Sequence, residues 1–500
     1  MSNLVLGWQV GQGLDPSYWI DPKARVGAHD AKDLFQVSPA ACAAHTAIIA
    51  QSGSGKSYFL GRFVEELSLR TRARCLIFDP NADFRRVGEV VDDSLWKDAK
   101  YDMTQQRGKL PHEVSRDDFV AKWRTVPIRV RGGARSHDPA VTPVTVPWLS
   151  VSVDFLAENL GPVDSTGVRN CHNFVRIIHD LLVLRAALGQ RNLSDYISVS
   201  ERLLRQTMNS PDDFMATVHE EWGLSGITEV VEENAIEIVK SILRIRNVSP
   251  DDIHRAINQL LTDAVTAARS IGEDVKGFYF GKLSACRATG VIDFALSLPA
   301  RTEQQNLSRL DVIDLPSIDD STRLLVVNAV LRTEWETARR SWELALQHPP
   351  GDDNRVPLFV VVDEAHNLIP REHRNLAEVA IRDQFRTFVA EGRKYGVFVV
   401  LISQRPDKVD PIVLAECENR AVMKLSSETT VALTRSALGL EELPPEMLSA
   451  CLKFPIGRAL MVGPWSTQGP RVIYAAARRT VEGGRNLRKE YWAADPTIGT

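Results

Sequence analysis

The 500-residue sequence is poor in cysteine. Its six thiols, Cys42, Cys75, Cys171, Cys286, Cys417 and Cys451, are scattered, with no CxxC pair and no histidine at ligand spacing. That excludes a disulfide framework and a Cys/His metal centre, and the expectation is buried free thiols in a reducing compartment. Long apolar runs are also missing. The longest, near 358–362 and 397–402, are strand-sized, far short of the roughly 20 residues a membrane helix needs. The opening MSNLVLGWQVGQGLDPS has no basic start followed by an apolar block, so no signal peptide is expected. Neither sign of charge dominates: the formal net charge is -4. Composition therefore carries no global attraction to nucleic acid, although a basic lining confined to a pore or cleft stays compatible with it. Internal repeats and low-complexity tracts are absent. The expectation is a soluble, cytoplasmic chain with no membrane partner.

What is present is an ordinary globular composition, 44% hydrophobic and 25% charged. The length exceeds what one core usually organises, so two or three compact units are expected. Residues 1–45 are short and mixed, and read as a truncated barrel or a docking arm. From 46 to 149 the pattern is strand, loop, helix, strand: TAIIA, a small-residue loop, a helix with Phe59, Leu60, Phe63, Val64 and Leu67 on one face, then RCLIFDP and PIRVR. Residues 150–304 read as a helical insertion. From 305 to 480 strands return: RLDVIDLPSI, a helix led by Asp319, Asp320 and Ser321, the strand PLFVVVDEAH, a helix over about 375–394, GVFVVLIS, and the short AVMKL, RALMVG and RVIYAA. The tail 481–500 is Gly-broken and reads as an arm. Strands alternating with helices predict an α/β fold, a mostly parallel sheet covered on both faces, with an inserted helical bundle.

Two motifs carry chemistry. AQSGSGKS fits the Walker A pattern GxxxxGK[ST], with Ala50 where the first glycine usually stands. Between a strand and a helix, such a loop turns its N–H groups inward around phosphate oxygens. Gln51, Ser52, Gly53, Ser54, Gly55, Lys56, Ser57 and Tyr58 would line the phosphates. Lys56 would reach the β- and γ-phosphates and Ser57 would ligate Mg²⁺. Ala50 is a minor variation, since a Cβ there can be accommodated. LFVVVDEAH is the second motif: a buried strand delivering Asp363 and Glu364 to its C-terminal end, where ligands bind in such sheets. Asp363 would hold the Mg²⁺ shell, and Glu364 would polarise the attacking water. A carboxylate dedicated to water activation makes a bound ATP a fuel rather than a slow timer. Some 300 positions separate Lys56 from Asp363, and the helical insertion accounts for them.

Gln404, just past the next strand, can sense the γ-phosphate or orient water, or can be a plain strand-to-turn residue. Arg393 and Lys394, before Gly396, either complement a helix C-terminus or supply an arginine that reaches a neighbouring subunit's nucleotide. Spacing leaves both readings open. WKDAKYDMTQQRGK (96–109) and RVRGGARSH (129–137) are weak candidates for DNA-contacting loops.

The blocks AQSGSGKS, CLIFDPNADF, RLDVIDLPSI, VVVDEAHNLIP, AEGRKYGVFVVLISQRPDKVDPIVLAECENRAVMKL and FPIGRALMVG resemble, in this order, those of the HerA branch of the HerA/FtsK superfamily. These are hexameric, RecA-like motors that pump double-stranded DNA. The resemblance covers about 46–90 and 305–480. It implies a RecA-like P-loop core, phosphate and Mg²⁺ on Lys56 and Ser57, a Walker B pair Asp363 and Glu364, Gln404 as sensor and Arg393 as arginine finger. It also implies Asp79 near the nucleotide and Arg420 at the subunit boundary. Implied partners are further copies of the chain in a hexamer, duplex DNA, and a separate effector protein, a nuclease or an NAD-degrading enzyme, in phage defence or DNA end processing. The competing expectation is an assembly scaffold whose nucleotide state controls an effector with little translocation. A conjugation- or secretion-type motor is disfavoured by the lack of a membrane span.

Overall fold

The computed structural model describes residues 3–10, 19–20, 34–97, 115–147 (apart from 134, 135 and 137), 308–349 and 353–483 (apart from 374), with scattered positions between 151 and 293. The expected helical insertion at 150–304 and the arm beyond 483 lie almost wholly outside the described residues.

Twelve of the described strands form one sheet. In chain order they begin with β1 (Leu4–Gln9), β2 (Leu34–Val37), β3 (Thr46–Ile49), β4 (Arg74–Asp79), β5 (Ile128–Gly132) and β6 (Thr142–Pro143). A separate short pair, β7 (Val146–Pro147) and β8 (Ile292–Asp293), stands apart. The main sheet continues with β9 (Leu310–Asp314), β10 (Leu358–Val362), β11 (Val397–Ser403), β12 (Asn419–Val422), β13 (Arg458–Val462) and β14 (Arg471–Ala475). The spatial order is β2-β1-β14-β13-β12-β3-β11-β10-β4-β9-β5-β6. From β12 to β6 every pairing is parallel, while β12-β13-β14-β1-β2 is antiparallel. This is the mostly parallel α/β fold expected, a RecA-like core in which the strand leading into the phosphate loop (β3) is separated from the acidic strand (β10) by one inserted strand, β11.

The four central strands β3, β4, β10 and β11 are buried along their whole length, because helices cover both faces. Alternate residues divide between the two. Ile48, Ile77, Val361 and Val400 join the cluster that includes Phe59, Leu60, Phe63, Val64 and Leu67 of helix α1 (Lys56–Arg70). Ala47, Leu76, Val360 and Val399 join the opposite cluster, with Leu325 and Leu331 of α2 (Asp320–Ala345) and Ile381, Phe385 and Phe388 of α3 (Leu376–Tyr395). Ala50 is fully buried among the first set, so the methyl that replaces the usual glycine is a core contact.

Local signals account for most boundaries. The Asn375 side chain caps α3 by accepting from Glu378 N at 2.9 Å, and Gly396 closes it at φ +77°, the left-handed conformation that favours glycine. Asp319 does hold the N-cap position of α2, but its side chain makes no capping bond; its backbone carbonyl accepts from Thr322 N and Arg323 N. Four of the six cysteines fall in described segments, and Cys42, Cys75, Cys417 and Cys451 are buried free thiols. Burial pushes Cys42, Cys75 and Cys417 up to about 12, and Cys451 higher still.

Residues 1–45 contribute two described strands, β1 and β2. Their described strands run along the edge of the main sheet, since Leu4, Val5, Leu6 and Trp8 are apolar enough to be buried there. Two carboxylates of α1 fasten this edge and the far end of the described chain to the phosphate helix. Glu66 Oε2 accepts from Val5 N at 2.8 Å and Glu66 Oε1 from Arg62 at 2.7 Å. Glu65 Oε1 accepts from Arg479 N at 2.9 Å and Thr480 N at 2.7 Å. Arg478 lies flat on the same helix, where a methyl on Gly61 would meet its Cδ at 2.3 Å. Complete burial raises the Glu65 pKa above the usual carboxylate value, against the pull of Arg62 and Arg478. Removing a buried acceptor strands its charged and N–H partners, which typically costs about 3–5 kcal/mol. The Glu65→Leu variant is therefore expected to unfold at clearly lower urea, and Glu65→Gln, which keeps an acceptor oxygen, at intermediate urea. Equal midpoints for all three proteins would show that this carboxylate does not fasten the helix.

Candidate nucleotide site

The site is assembled at the C-terminal ends of β3, β4, β10 and β11. The loop from β3 begins with Ala50 N donating to Ser403 O at 3.2 Å and Gln51 N to Lys424 O at 3.0 Å. Ser52 and Gly53 are exposed and Ser54 is buried. Gly53 and Gly55 adopt φ of +73° and +93°, the left-handed region that lets successive N–H groups face one side. Gly55 is the N-cap of α1 and no side chain caps that helix. A 15-residue helix thus opens at the loop without a side-chain cap on its first N–H groups, the geometry of an anion site.

Lys56 and Ser57 are the first two residues of α1. Lys56 Nζ stands 2.8 Å from Asp363 Oδ1 and 2.5 Å from Glu364 Oε1. Gln404 Nε2 donates to the same Glu364 oxygen at 2.5 Å. Four residues singled out by sequence, Lys56, Asp363, Glu364 and Gln404, are therefore in direct contact. Burial works against the Lys56 ammonium, but the paired charges and hydrogen bonds of Asp363 and Glu364 win and raise its pKa. The two carboxylates share one cation unequally. Asp363 is the more buried and burial raises its pKa, while Glu364, also opposed by burial, is lowered by Lys56 and Gln404.

Glu364 is a strained residue of the site. Its φ and ψ are +46° and +53°, a left-handed conformation costing a bulky side chain of order 1–3 kcal/mol. Its Oε2 is buried without a hydrogen-bond partner; His366 Nδ1 lies 3.6 Å from it. His366, half-buried and also 3.3 Å from Ser403 Oγ, has its pKa lowered first by burial, against the pull of Glu364.

Sequence reasoning missed three contributors. Asp83 Oδ2 accepts from Ser57 Oγ at 2.6 Å, Asn81 Nδ2 donates to Asp363 Oδ2 at 3.3 Å, and His366 flanks Glu364. Asp83 and Asn81 sit in the CLIFDPNADF block and His366 in DEAH, so the blocks pointed at them without assigning them work. Asp79, expected near the nucleotide, is wholly buried and turned into its own loop. It accepts from the backbone N–H groups of Asn81, Asp83 and Phe84 at 3.1, 3.2 and 2.7 Å. It presents Asn81 and Asp83 rather than itself. Burial pushes Asp79 up to about 7.

Arg393 is not brought to this site. It lies near the end of α3, at the opposite edge of the sheet, half exposed and paired with Glu418 at 2.5 Å. Arg420 in β12 donates to Cys417 O at 3.0 Å. Arg129 and Arg131, candidates for DNA contact, both bind the Asp311 carboxylate, at 2.6 and 2.7 Å; the candidate loop at 96–109 falls outside the described residues beyond Lys97. A cavity of about 370 Å³ near the start of β4 and β10, lined by Arg72, Arg74, Arg309 and Arg355 around Glu334, also belongs to the edge away from Lys56.

The sequence model of the family described as "Helicase HerA, central domain" matches residues 34–124. The chain is 24% identical over 234 residues to the "DNA double-strand break repair helicase HerA" of Sulfurisphaera tokodaii, covering 46% of this chain and 44% of that protein. It is 30% identical over 132 residues to the probable HerA helicase of Methanocaldococcus jannaschii, 26% of this chain and 25% of that one. The chain thus spans less than half the length of these relatives. Among solved structures, VirB4 of Thermoanaerobacter pseudethanolicus is similar at 14% identity and a TM-score of 0.37, over 95% of this chain and 97% of that one. The resemblance to the HerA branch is borne out over the phosphate-loop block.

Asp79 also sets a pH dependence. A carboxyl whose pKa rises on folding stabilises the fold fully below its ordinary value, and that contribution is lost as pH rises through the folded value. The stability advantage of wild type over Asp79→Asn is expected to decline from about pH 4 to about pH 7 and to level off above it. A difference independent of pH across that window would show an ordinary, ionised Asp79.

Proposed function

We propose that the chain is an ATPase: it binds ATP with Mg²⁺ at the Lys56 loop and hydrolyses it with turnover, as one subunit of a homo-oligomeric ring, a hexamer, that moves along double-stranded DNA. The observation that carries the reading is the convergence of Lys56, Asp363, Glu364 and Gln404 from three separate segments onto one buried cluster. A structural ion pair needs one carboxylate. Two carboxylates, one of them backbone-strained and holding a buried unpartnered oxygen, suit a group kept ready for proton transfer.

The donor set fits a hard divalent cation. Ser57 Oγ and the Asp363 carboxylate are the oxygens that would hold Mg²⁺, with Asp83 hydrogen-bonded to the former and Asn81 to the latter. When bound, the cation neutralises charge on the phosphates. Lys56 exchanges its carboxylate partners for phosphate oxygens, which releases Glu364. Glu364 then takes a proton from the attacking water, and Gln404 keeps its carboxylate aimed. Gln51 to Tyr58 supply the cradle around the phosphates.

The ring is supported by Arg393. It cannot serve its own chain's site from the opposite edge of the sheet, and its tie to Glu418 is an exposed pair, worth about 0–1 kcal/mol and readily exchanged. A neighbouring copy's nucleotide is the target that gives it a role. Duplex DNA and the separate effector, a nuclease or NAD-degrading enzyme acting in phage defence or DNA end processing, rest on the family resemblance, and the names of the helicase relatives support the DNA.

Lys56→Ala is expected to abolish nucleotide binding. Glu364→Gln should bind ATP yet lose turnover by about 10²-fold or more; loss of binding instead would remove Glu364 from the role of base. Mixing Lys56→Ala with Arg393→Ala chains should restore turnover that neither variant has alone, since an intact Lys56 site can then meet an intact Arg393. Failure of the mixture to recover activity would sink the trans role. Long duplex DNA is expected to stimulate wild-type turnover, and indifference to DNA would sink the motor.

A further inference from the structure

The turn between Cys451 and β13 is fastened directly to the phosphate loop. Gly457 N donates to Ser54 O at 2.9 Å, and a methyl placed on Gly55 would stand 3.2 Å from Gly457 N and 3.4 Å from Ile456 Cγ2. The turn is held from below as well. Phe454 is buried in the core, and Gly457, at φ +85°, sits against the Tyr474 ring, 3.6 Å from where its Cβ would be. Between these anchors Ile456 is 64% exposed, one of the most exposed large apolar side chains among the described residues. A rigid turn that presents an isoleucine to solvent beside a phosphate cradle gives up apolar burial for which the fold itself offers no return.

We propose that Ile456 is the apolar platform for the nucleoside end of the bound triphosphate, the base resting on its side chain while the loop holds the phosphates. The inference rests on the proposed nucleotide site and extends it from the phosphates to the base. An aliphatic contact carries no donor or acceptor, so this platform grips any nucleobase by its face and leaves purine and pyrimidine undiscriminated. It also links the nucleoside to the antiparallel half of the sheet through β13. A nucleoside on Ile456 bears on the turn that leads into β13, and through the Gly457 N–H on the same loop that holds its phosphates.

Binding of ATP and of inorganic tripolyphosphate, each with Mg²⁺, to the full chain separates the two parts. Wild type is expected to bind both. Ile456→Ser should weaken ATP about 10-fold, the scale of losing one apolar contact, and leave tripolyphosphate within about twofold, while Ile456→Leu restores ATP. Equal weakening of both ligands would mean that the turn only shapes the loop and would overturn the platform, as would unchanged binding of both. If wild type binds neither ligand, the nucleotide site itself fails and the platform with it, an outcome distinct from the other two.

Discussion

One buried ammonium holds the centre of this protein together. Lys56 lies between Asp363 and Glu364, and all three side chains are almost fully withdrawn from water. Buried charge is tolerated only when it is compensated, so the cluster constrains every element that delivers a member of it. Helix α1 must begin at the mouth of the sheet, β10 must end there, and β11 must lie between β3 and β10 to bring Gln404 to the same oxygen. The acids remain one charge in excess of the lysine.

The surrounding structure serves to keep α1 in that position. Its apolar face packs on the sheet through Phe59, Phe63 and Leu67, but its other side is charged and still buried. Glu66 accepts there from β1 and from Arg62, and Glu65 from residues 479–480. The antiparallel half of the sheet, β12 to β14 with β1 and β2, is thereby tied to the phosphate helix at two points. A third tie runs from Gly457 to Ser54 in the loop itself. These short hydrogen bonds join the loop and its helix to this half of the sheet.

The two edges of the sheet carry opposite equipment. The C-terminal edge holds the acids Asp83, Asp363 and Glu364. The N-terminal edge holds Arg393 and the arginine-lined cavity around Glu334. No single chain can bring these edges together, since the rigid, fully buried strands stand between them. That separation leaves Arg393 out of reach of its own chain's Lys56 site.

Much of this was legible in the sequence, because it depends on local pattern. The run TAIIA, the loop glycines and the helical spacing of Phe59, Phe63 and Leu67 specify a strand, a turn and a helix whatever the rest of the chain does. The run LFVVV before Asp363 likewise announces a buried strand. Asp83 and Asn81 were not legible, because nothing in CLIFDPNADF says which acid turns inward. Burial chose Asp79 to hold the turn and left Asp83 to meet Ser57. The place of β1 and β2 was hidden too, since strand pairing at a sheet edge is a long-range choice made by whichever partner buries Leu4 and Leu6. By itself the sequence determined the elements and the chemical types at the site. Only the tertiary structure decided which carboxylate faces which partner, that Arg393 stands on the far edge, and that an isoleucine some 400 positions downstream lies beside the phosphate loop, because those relations arise from packing and not from any local periodicity.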